Sequence, residues 1–347
     1  MENLFNKRLL SLLLSLSLFL LPVSAESPVF AQNLSEKETH DEEKEEKEKI
    51  IKWIDFTVTE AALRHATEAD IEAEKEGKRI SCISLLAYLA AKYGGDFSKY
   101  QKKHMDEAVA EAEKRPLEDA ATNKKLFRYY QKAYGAVLGG LVGYYTKETE
   151  KEGDVAQEKK YGVRCVFPIA RGFGYQHFDD FGASRSYGYK RRHLGHDIMG
   201  SVGTPIVAVE SGYVEALGWN QYGGWRIGIR SFDGLRYYYY AHLKKGHPYA
   251  DLYEGKVVSA GEVIGYLGMT GYSKKEDVNN IDAPHLHLGL EIIFSPEQKD
   301  GYTQIWLDLY EFSKFLSAYR VPTEKAKTNG KWESVSRYRL VYREEPD

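Results

Sequence analysis

The chain has 347 residues, 43% of them hydrophobic, and a formal net charge of −3. This length leaves room for two domains, because a single hydrophobic core usually stops growing below it. Acidic and basic residues are nearly balanced, so the composition excludes a whole-protein field for binding nucleic acid.

The N-terminus has the pattern of a secretion signal. Lys7 and Arg8 precede an apolar stretch at residues 9–23, and small residues follow it. A charged start, a short apolar segment and a small-residue end predict a signal peptide over residues 1–25. The alternative is an uncleaved membrane anchor at residues 9–23, although a bilayer span needs about 20 apolar residues. In both cases we expect the rest of the chain outside the cytoplasm, secreted or associated with the cell wall.

A charged linker and a helical domain are predicted next. Residues 26–49 end in a run of Glu, Lys and Asp, which is typical of a solvated linker. Residues 50–148 are predicted to form a helical domain of unknown role, since apolar residues recur there at intervals of three to four. His65 and His104 stand alone in this region and are interpreted as solvated or structural. The charged residues 146–160 are read as a second linker.

The two cysteines, Cys82 and Cys165, leave two alternatives open. In an exported protein they can form a disulfide between the N-terminal and C-terminal regions. They can equally be two separate buried thiols, because sequence does not give the distance between them. Their separation excludes a thiolate zinc framework.

Residues 164–315 are predicted to form a β domain. Short β-type runs alternate with glycine turns at 204–210, 213–217, 225–230, 235–242, 257–258 and 263–267. Regular short strands with turn signals are typical of an all-β domain. A last helix is predicted at 305–319, and a final strand at 334–342 within a C-terminal extension over 316–347. The predicted fold class is therefore α+β and multidomain, helical first and mainly antiparallel β second.

Histidine is concentrated in three short segments of the β region: HLGHD at 193–197, YYAHL at 239–243 and PHLHL at 284–288. In the third segment, His285 and His287 are two residues apart. If the leucines between them form one face of a strand, both imidazoles project from the other face.

In the first segment, His193 and Asp197 are four residues apart, which places them on one side of a strand or a helix turn. His196 is expected to point away from His193 in an extended chain. Catalytic zinc sites typically use three ligands from His, Asp or Glu and leave one position for water. Two histidines and one carboxylate meet that count.

These motifs occur together with the turn segments GTPIVA at 203–208 and VVSAGEVIGYLGMTG at 257–271. In this order they resemble the lysostaphin and LytM family of peptidoglycan endopeptidases, the M23 metallopeptidases, over residues 165–293. The resemblance implies a lysostaphin-like, mainly antiparallel β peptidase domain with an open groove. It also implies one zinc ion per chain, held by His193, Asp197 and His287.

By the same resemblance, His242 and His285 are the two catalytic histidines that do not bind metal. A histidine beside a zinc-bound water can take its proton and return it to the leaving amine, while another donates to the developing oxyanion. Which of the two is the general base stays open. Tyr187 is a further candidate for facing the oxyanion, with β packing as its alternative role.

The implied function is a secreted zinc metalloendopeptidase that hydrolyses peptide bonds in bacterial peptidoglycan, in a cross-bridge or a stem peptide. The expected partner is a peptidoglycan peptide, and no nucleic acid is expected to bind. Membrane contact is expected only if the signal segment stays uncleaved. The oligomeric state is left undetermined. The alternatives are a non-catalytic scaffold or activator of another wall hydrolase, and a sugar-binding β domain with structural histidines.

One segment departs from the family pattern. Residues 272–283 are longer and more charged than the few small residues expected between the turn and the last motif. Such an insert beside the groove is expected to affect which peptide fits. His177 and Asp179 lie in another loop, at 171–192, and are interpreted as loop polarity rather than metal ligands.

Overall fold

The computed structural model describes residues 51–54, 56–151, 154–187, 190–295, 298, 303–328 and 331–342. The predicted signal peptide at 1–25, the alternative anchor at 9–23 and the charged linker at 26–49 lie outside the described residues. Within the described residues, no helix is both long and apolar enough to cross a membrane.

The first large part of the described chain is helical. Helices α1 to α5 are Glu60–Lys75, Cys82–Tyr93, Lys102–Ala112, Leu117–Ala120 and Lys124–Leu138. The Thr59 hydroxyl caps α1 by accepting a hydrogen bond from the backbone N–H of Ala62 at 3.3 Å. Helix α2 ends at Gly94, whose φ of 66° is left-handed and is easily adopted by a residue without Cβ. Local capping and apolar spacing therefore define these helices.

A β-hairpin follows where a linker was predicted at 146–160, so that prediction is wrong. Strands β2 (Val142–Lys151) and β3 (Asp154–Val163) pair antiparallel, and a strand from the C-terminal end of the chain joins them. The charged residues of the hairpin meet oppositely charged partners across strands; Arg339 lies 3.1 Å from Glu148. Cross-strand pairing stabilises a charged strand in a way that composition does not reveal.

The remaining strands form one large sheet and several small ones. In chain order, β1 and β4 to β18 are Ile51–Ile54, Gln176–Phe178, Ser184–Arg185, Arg191–Arg192, His196–Met199, Pro205–Val207, Gly212–Asn220, Gly224–Ser231, Arg236–Ala241, Val257–Val258, Val263–Tyr266, His285–Ile292, Gln304–Leu307, Thr323–Thr328, Lys331–Ser336 and Tyr338–Val341. The large sheet has the order β1-β15-β14-β11-β10-β9-β12, and β7 joins β14 and pairs with β4. Its pairs are antiparallel except β1 with β15, so a mainly antiparallel fold is confirmed.

The predicted C-terminal elements need two corrections. The helix predicted at 305–319 is a strand followed by a shorter helix, since β15 precedes α6 (Tyr310–Leu316). A short apolar run fits both structures by periodicity, and here pairing with β1 and β14 selects the strand. The single strand predicted at 334–342 is two strands, β17 and β18, which belong to different sheets.

The helices and the large sheet share one hydrophobic core, and all described residues belong to one compact unit. Arg236 of β11 connects the two parts: its guanidinium binds Glu210 at 2.9 Å and donates to the Ala136 carbonyl near the end of α5 at 2.9 Å. Cys82 and Cys165 are buried free thiols in this core, the second of the two alternatives. The boundaries 50–148, 164–315 and 316–347 stay predictions.

Candidate metal centre and active site

The HLGHD segment enters the sheet at β7. His193 lies in the preceding loop, where its backbone N–H donates to the Ala183 carbonyl and its carbonyl accepts from the Gly182 N–H, both at 2.8 Å. Asp197 is the second residue of β7. The two bonds hold the loop so that the His193 imidazole meets the Asp197 carboxylate, with 3.0 Å between Nε2 and Oδ1.

The PHLHL segment contributes β14, which pairs antiparallel with β7. The register places His287 directly opposite Asp197 and His285 opposite Met199. Leu286 and Leu288 are buried in the core, so the alternation of the strand brings both histidines to the other face. The predicted face of this strand is therefore the one observed.

Three ligand-type atoms converge at this pairing. His193 Nε2 lies 2.8 Å from His287 Nδ1, and Asp197 Oδ1 lies 3.1 Å from His287 Nδ1. All three atoms fit within a span of 4.8 Å. A tetrahedral zinc ion with bonds of about 2.0–2.2 Å holds neighbouring ligand atoms about 3.3–3.6 Å apart, so small adjustments would accommodate one. The donor set and its spacing therefore fit zinc.

An acidic neighbour orients the first histidine. Two oxygens of Asp180 face His193 Nδ1: the carboxylate Oδ1 at 3.0 Å, an ion-pair contact, and the backbone carbonyl at 3.3 Å, which accepts the hydrogen bond. Asp180 also pairs with Arg185. Burial lowers the pKa of His193, but its contacts with Asp180 and Asp197 outweigh burial and raise the pKa to about 9. A ring nitrogen held by a carboxylate leaves the opposite nitrogen for a metal, which is the usual support of a histidine ligand.

Asp197 is the anionic member of the cluster. Burial alone raises the pKa of this carboxyl, but its bonds to His193 and His287 dominate and hold the pKa far below its usual range. The carboxylate therefore stays ionised at neutral pH. Without a metal ion, a proton on the neighbouring histidines balances the negative charge of this carboxylate. A divalent cation would displace that proton.

Two further histidines flank the cluster. His242 lies just after β11 with Nδ1 2.8 Å from the Thr270 carbonyl, and His285 Nδ1 lies 2.8 Å from the Ala283 carbonyl. A carbonyl accepts the proton of Nδ1–H, so in both residues Nε2 is left with its lone pair. The rings are 4.8 Å apart, and His285 Nε2 lies 3.6 Å from Asp197 Oδ1. Both can move protons beside the cluster.

Comparison with known proteins agrees with this geometry. Residues 191–299 match the model of peptidase family M23. An L-Ala–D-Glu endopeptidase of Bacillus subtilis (strain 168) is 34% identical over 214 residues, covering 57% of this chain and 61% of that protein. Residues 191–299 of this chain are therefore similar to peptidase family M23.

Two further comparisons show similar proteins. Lysostaphin of Staphylococcus staphylolyticus is 40% identical over 96 residues, covering 27% of this chain and 18% of lysostaphin. The crystal structure described as the glycyl-glycine endopeptidase lytM of Ruminococcus gnavus covers 77% of this chain and 90% of that chain, with a TM-score of 0.52 and 22% identity. That structure supports the fold. The chain spans about three fifths of the Bacillus protein and under a fifth of lysostaphin.

Two other histidines, His177 and His196, are not part of the cluster. His196 is buried behind β7, where its Nε2 lies 2.8 Å from His177 Nδ1 and the two rings stack. His196 therefore points away from His193, as its spacing predicts. Asp179, like His177, is absent from the group of ligand atoms found among the described residues.

Sequence reasoning missed Asp180 and Arg185. Both lie in the loop at 171–192, and Arg185 Nη2 is 3.6 Å from Asp197 Oδ2. Asp180 precedes its partner His193 by 13 residues with no periodic relation, and the adjacent Asp179 carries the same side chain. No pattern in the sequence distinguishes the two aspartates.

Two loops meet beside the cluster of His193, Asp197 and His287. Tyr187 of the first loop stacks on Tyr272, the first residue of the 272–283 insert, with 4.8 Å between ring centroids and 6° between planes. Arg191 lies over Tyr272 and Tyr222, at 5.1 Å and 4.7 Å from the ring centroids. Tyr272 is also 6.1 Å from the ring of His242. The insert therefore borders the site, and Tyr187 has an aromatic partner there.

Proposed function

We propose that this chain is a zinc-dependent endopeptidase that cuts peptide bonds in bacterial peptidoglycan. The observation that carries the proposal is the convergence of His193, Asp197 and His287 within a matched M23 domain, with two oriented histidines beside them. The M23 relatives named above are an L-Ala–D-Glu endopeptidase and lysostaphin. A peptide of the wall is the substrate class consistent with both the site and these relatives.

His193, Asp197 and His287 would hold the ion. A bound zinc ion supplies Lewis acidity, which activates water and polarises a carbonyl. His242 and His285 present their Nε2 atoms beside this position, and their Nδ1–H groups are fixed by backbone carbonyls. One can accept a proton and pass it to the leaving amine, and the other can donate to the developing oxyanion.

The arrangement favours catalysis over the scaffold and sugar-binding alternatives. A scaffold has no need of three ligands, and structural histidines are normally satisfied by neutral partners. Here three ligand atoms face one another, and Asp180 supports His193 from behind. We further propose that the chain acts outside the cytoplasm, since residues 1–25 have the pattern of a secretion signal.

The deciding experiment is digestion of purified peptidoglycan with the zinc-loaded protein, followed by mass spectrometry of the soluble fragments. We expect new free amines and fragment masses that identify one cleaved bond, with Asp197→Ala protein as the inactive control. Zinc-loaded protein that binds the wall and releases no fragment from any wall chemistry would favour the scaffold alternative.

A further inference from the structure

A row of residues crosses the sheet on the face that carries the metal cluster. Asp197 of β7 lies opposite His287 of β14, and His287 lies opposite Ala241 of β11. The register of β10 with β11 places Arg226 next in this row. Strands are about 4.8 Å apart, so Arg226 Cα lies about 10 Å from His287 Cα. The intervening position carries only a methyl group.

Arg226 differs from the other arginines of these strands in having no anionic partner. Arg230 is paired with both carboxylate oxygens of Glu215 at 2.6 and 2.7 Å, and Arg236 is paired with Glu210. Arg226 is half-buried and forms no ion pair or side-chain hydrogen bond with any described residue. A guanidinium that has no carboxylate partner on the sheet can donate its N–H groups to an anion from outside the protein.

Tyr239 supplies a second polar group at the same place. Its ring lies 5.9 Å from the ring of His287, and its hydroxyl has no hydrogen-bond partner among the described residues. A Cβ added to Gly223 would lie 2.1 Å from that hydroxyl and 3.2 Å from the Ala241 Cβ, so the hydroxyl lies above the gap between Arg226 and the cluster. Burial raises the pKa of Tyr239 and the nearby Arg226 charge opposes it, so the hydroxyl stays protonated and can donate.

The neighbouring rows on the same face of the sheet are aromatic or small. A Cβ added to Gly228 would meet the Tyr237 ring, with 2.0 Å to its hydroxyl, and one added to Gly289 would meet the Trp306 ring at 2.6 Å. Aromatic rings offer a bound peptide a large apolar contact area. The polar choice on this surface therefore lies with Arg226 and Tyr239.

We propose that Arg226, with the Tyr239 hydroxyl, binds a carboxylate of the substrate peptide beside the scissile bond. The inference rests on the proposed endopeptidase function and narrows its substrate class to acidic peptides. An extended peptide advances about 3.3 Å per residue, so a carboxylate at Arg226 belongs to a residue within about two positions of the metal cluster. A glutamate residue that keeps one free carboxylate meets this requirement, whereas a bridge of glycines offers none.

The test uses two synthetic stem peptides that differ in one group. One contains alanine joined to D-glutamate with a free carboxylate, and the other has that carboxylate converted to an amide. Zinc-loaded wild-type protein is expected to show at least tenfold higher kcat/KM and tenfold tighter binding for the acid. Arg226→Gln should lose that preference, Arg226→Lys should restore part of it, and the exposed, distant Arg128→Gln should keep it in full. Zinc content and thermal midpoint should match wild type in all three variants.

Measuring binding and cleavage separately distinguishes the carboxylate site from the endopeptidase function on which it rests. Cleavage of both peptides with an equal loss in Arg226→Gln overturns the carboxylate site and leaves the endopeptidase function standing. If the Arg226→Gln variant still prefers the peptide with the free carboxylate, the proposed site is also wrong. The carboxylate then binds at another place, such as the zinc ion. The peptide with the free carboxylate can also bind tenfold more tightly, in a way that requires Arg226, without being cleaved. That result supports the carboxylate site and contradicts the endopeptidase function.

Discussion

The histidines of the helical region and those of the β region differ in what faces their ring nitrogens. In the helical region, His65 Nδ1 lies 2.7 Å from the Tyr100 hydroxyl and His104 Nδ1 lies 2.5 Å from the Tyr93 hydroxyl. A hydroxyl both donates and accepts, so each of these imidazoles is satisfied by one neutral neighbour.

In the cluster of the β region, the ring nitrogens of His193 and His287 face each other and the Asp197 carboxylate. Lone pairs brought together in this way need a proton or a cation between them. Burial alone does not separate the two groups, since His65, His104 and His287 are all partly buried. A candidate metal site is therefore indicated by the group that faces the imidazole nitrogen. Neither the presence of a histidine nor its burial is enough.

The largest expected effect is loss of a proposed ligand. Asp197→Ala should reduce bound zinc to background, measured by elemental analysis, and reduce peptide hydrolysis by about three orders of magnitude or more, because the activated water is lost. His104→Ala is the matched control, since it removes a histidine whose ring nitrogen faces the Tyr93 hydroxyl and the Gln101 backbone N–H, and no carboxylate. Equal zinc loss in the two variants would contradict the distinction between the regions.

The next effect concerns the oriented histidines. His242→Ala and His285→Ala should each keep zinc while lowering kcat by about 10²–10⁴-fold, the range for removing a positioned proton carrier. Zinc content and kcat are measured on the same preparation. Zinc loss in either variant would show that the residue acts as a ligand.

A smaller effect is expected from the residue that orients His193. Asp180→Asn should weaken zinc binding about 10- to 100-fold in a competition titration with a chelator, because the imidazole loses its carboxylate support. Asp179→Asn is the control, since the neighbouring carboxylate does not contact the cluster. The same affinity in both variants would remove Asp180 from the site.

The smallest effect concerns stability. Glu291 lies on β14, the strand that also carries the proposed ligand His287. Burial raises the pKa of Glu291 from 4.5 to about 8, although the positive charge of Arg230 opposes this shift. The unfolded chain therefore releases this proton at lower pH, and the free energy of unfolding should fall as pH rises from about 4.5 to 8.

Each pKa unit corresponds to about 1.4 kcal/mol, so the fall should be on the order of a few kcal/mol. Glu291→Gln should flatten it in denaturant titrations across this range, whereas the exposed Glu276→Gln should not. A wild-type free energy that stays constant from pH 5 to 8 would contradict a neutral Glu291.

Much of the β region is predictable because its signals are local. All six predicted β runs recur, at β8 to β13, with shifts of up to three residues in their ends, since alternation and glycine turns act over a few residues. The hairpin at 142–163 was missed because its charges are stabilised by cross-strand partners, including Arg339 almost 200 residues away. The strand at β15 was missed because a short apolar run fits helix and strand equally.

The residue types of the site and the directions of neighbouring side chains follow from the sequence alone. His285 and His287 share a face because side chains alternate along a strand, and His196 points away from His193 for a similar local reason. Both statements need only neighbouring residues.

Which residues meet depends on the tertiary fold. The register that places His287 opposite Asp197 joins positions 90 residues apart, and the choice of Asp180 over Asp179 depends on how one loop folds back. Arg226 is an ordinary strand residue in the sequence and becomes a candidate subsite only through a row across four strands. Strand register is set by burial and pairing over the whole sheet, so local pattern does not contain it.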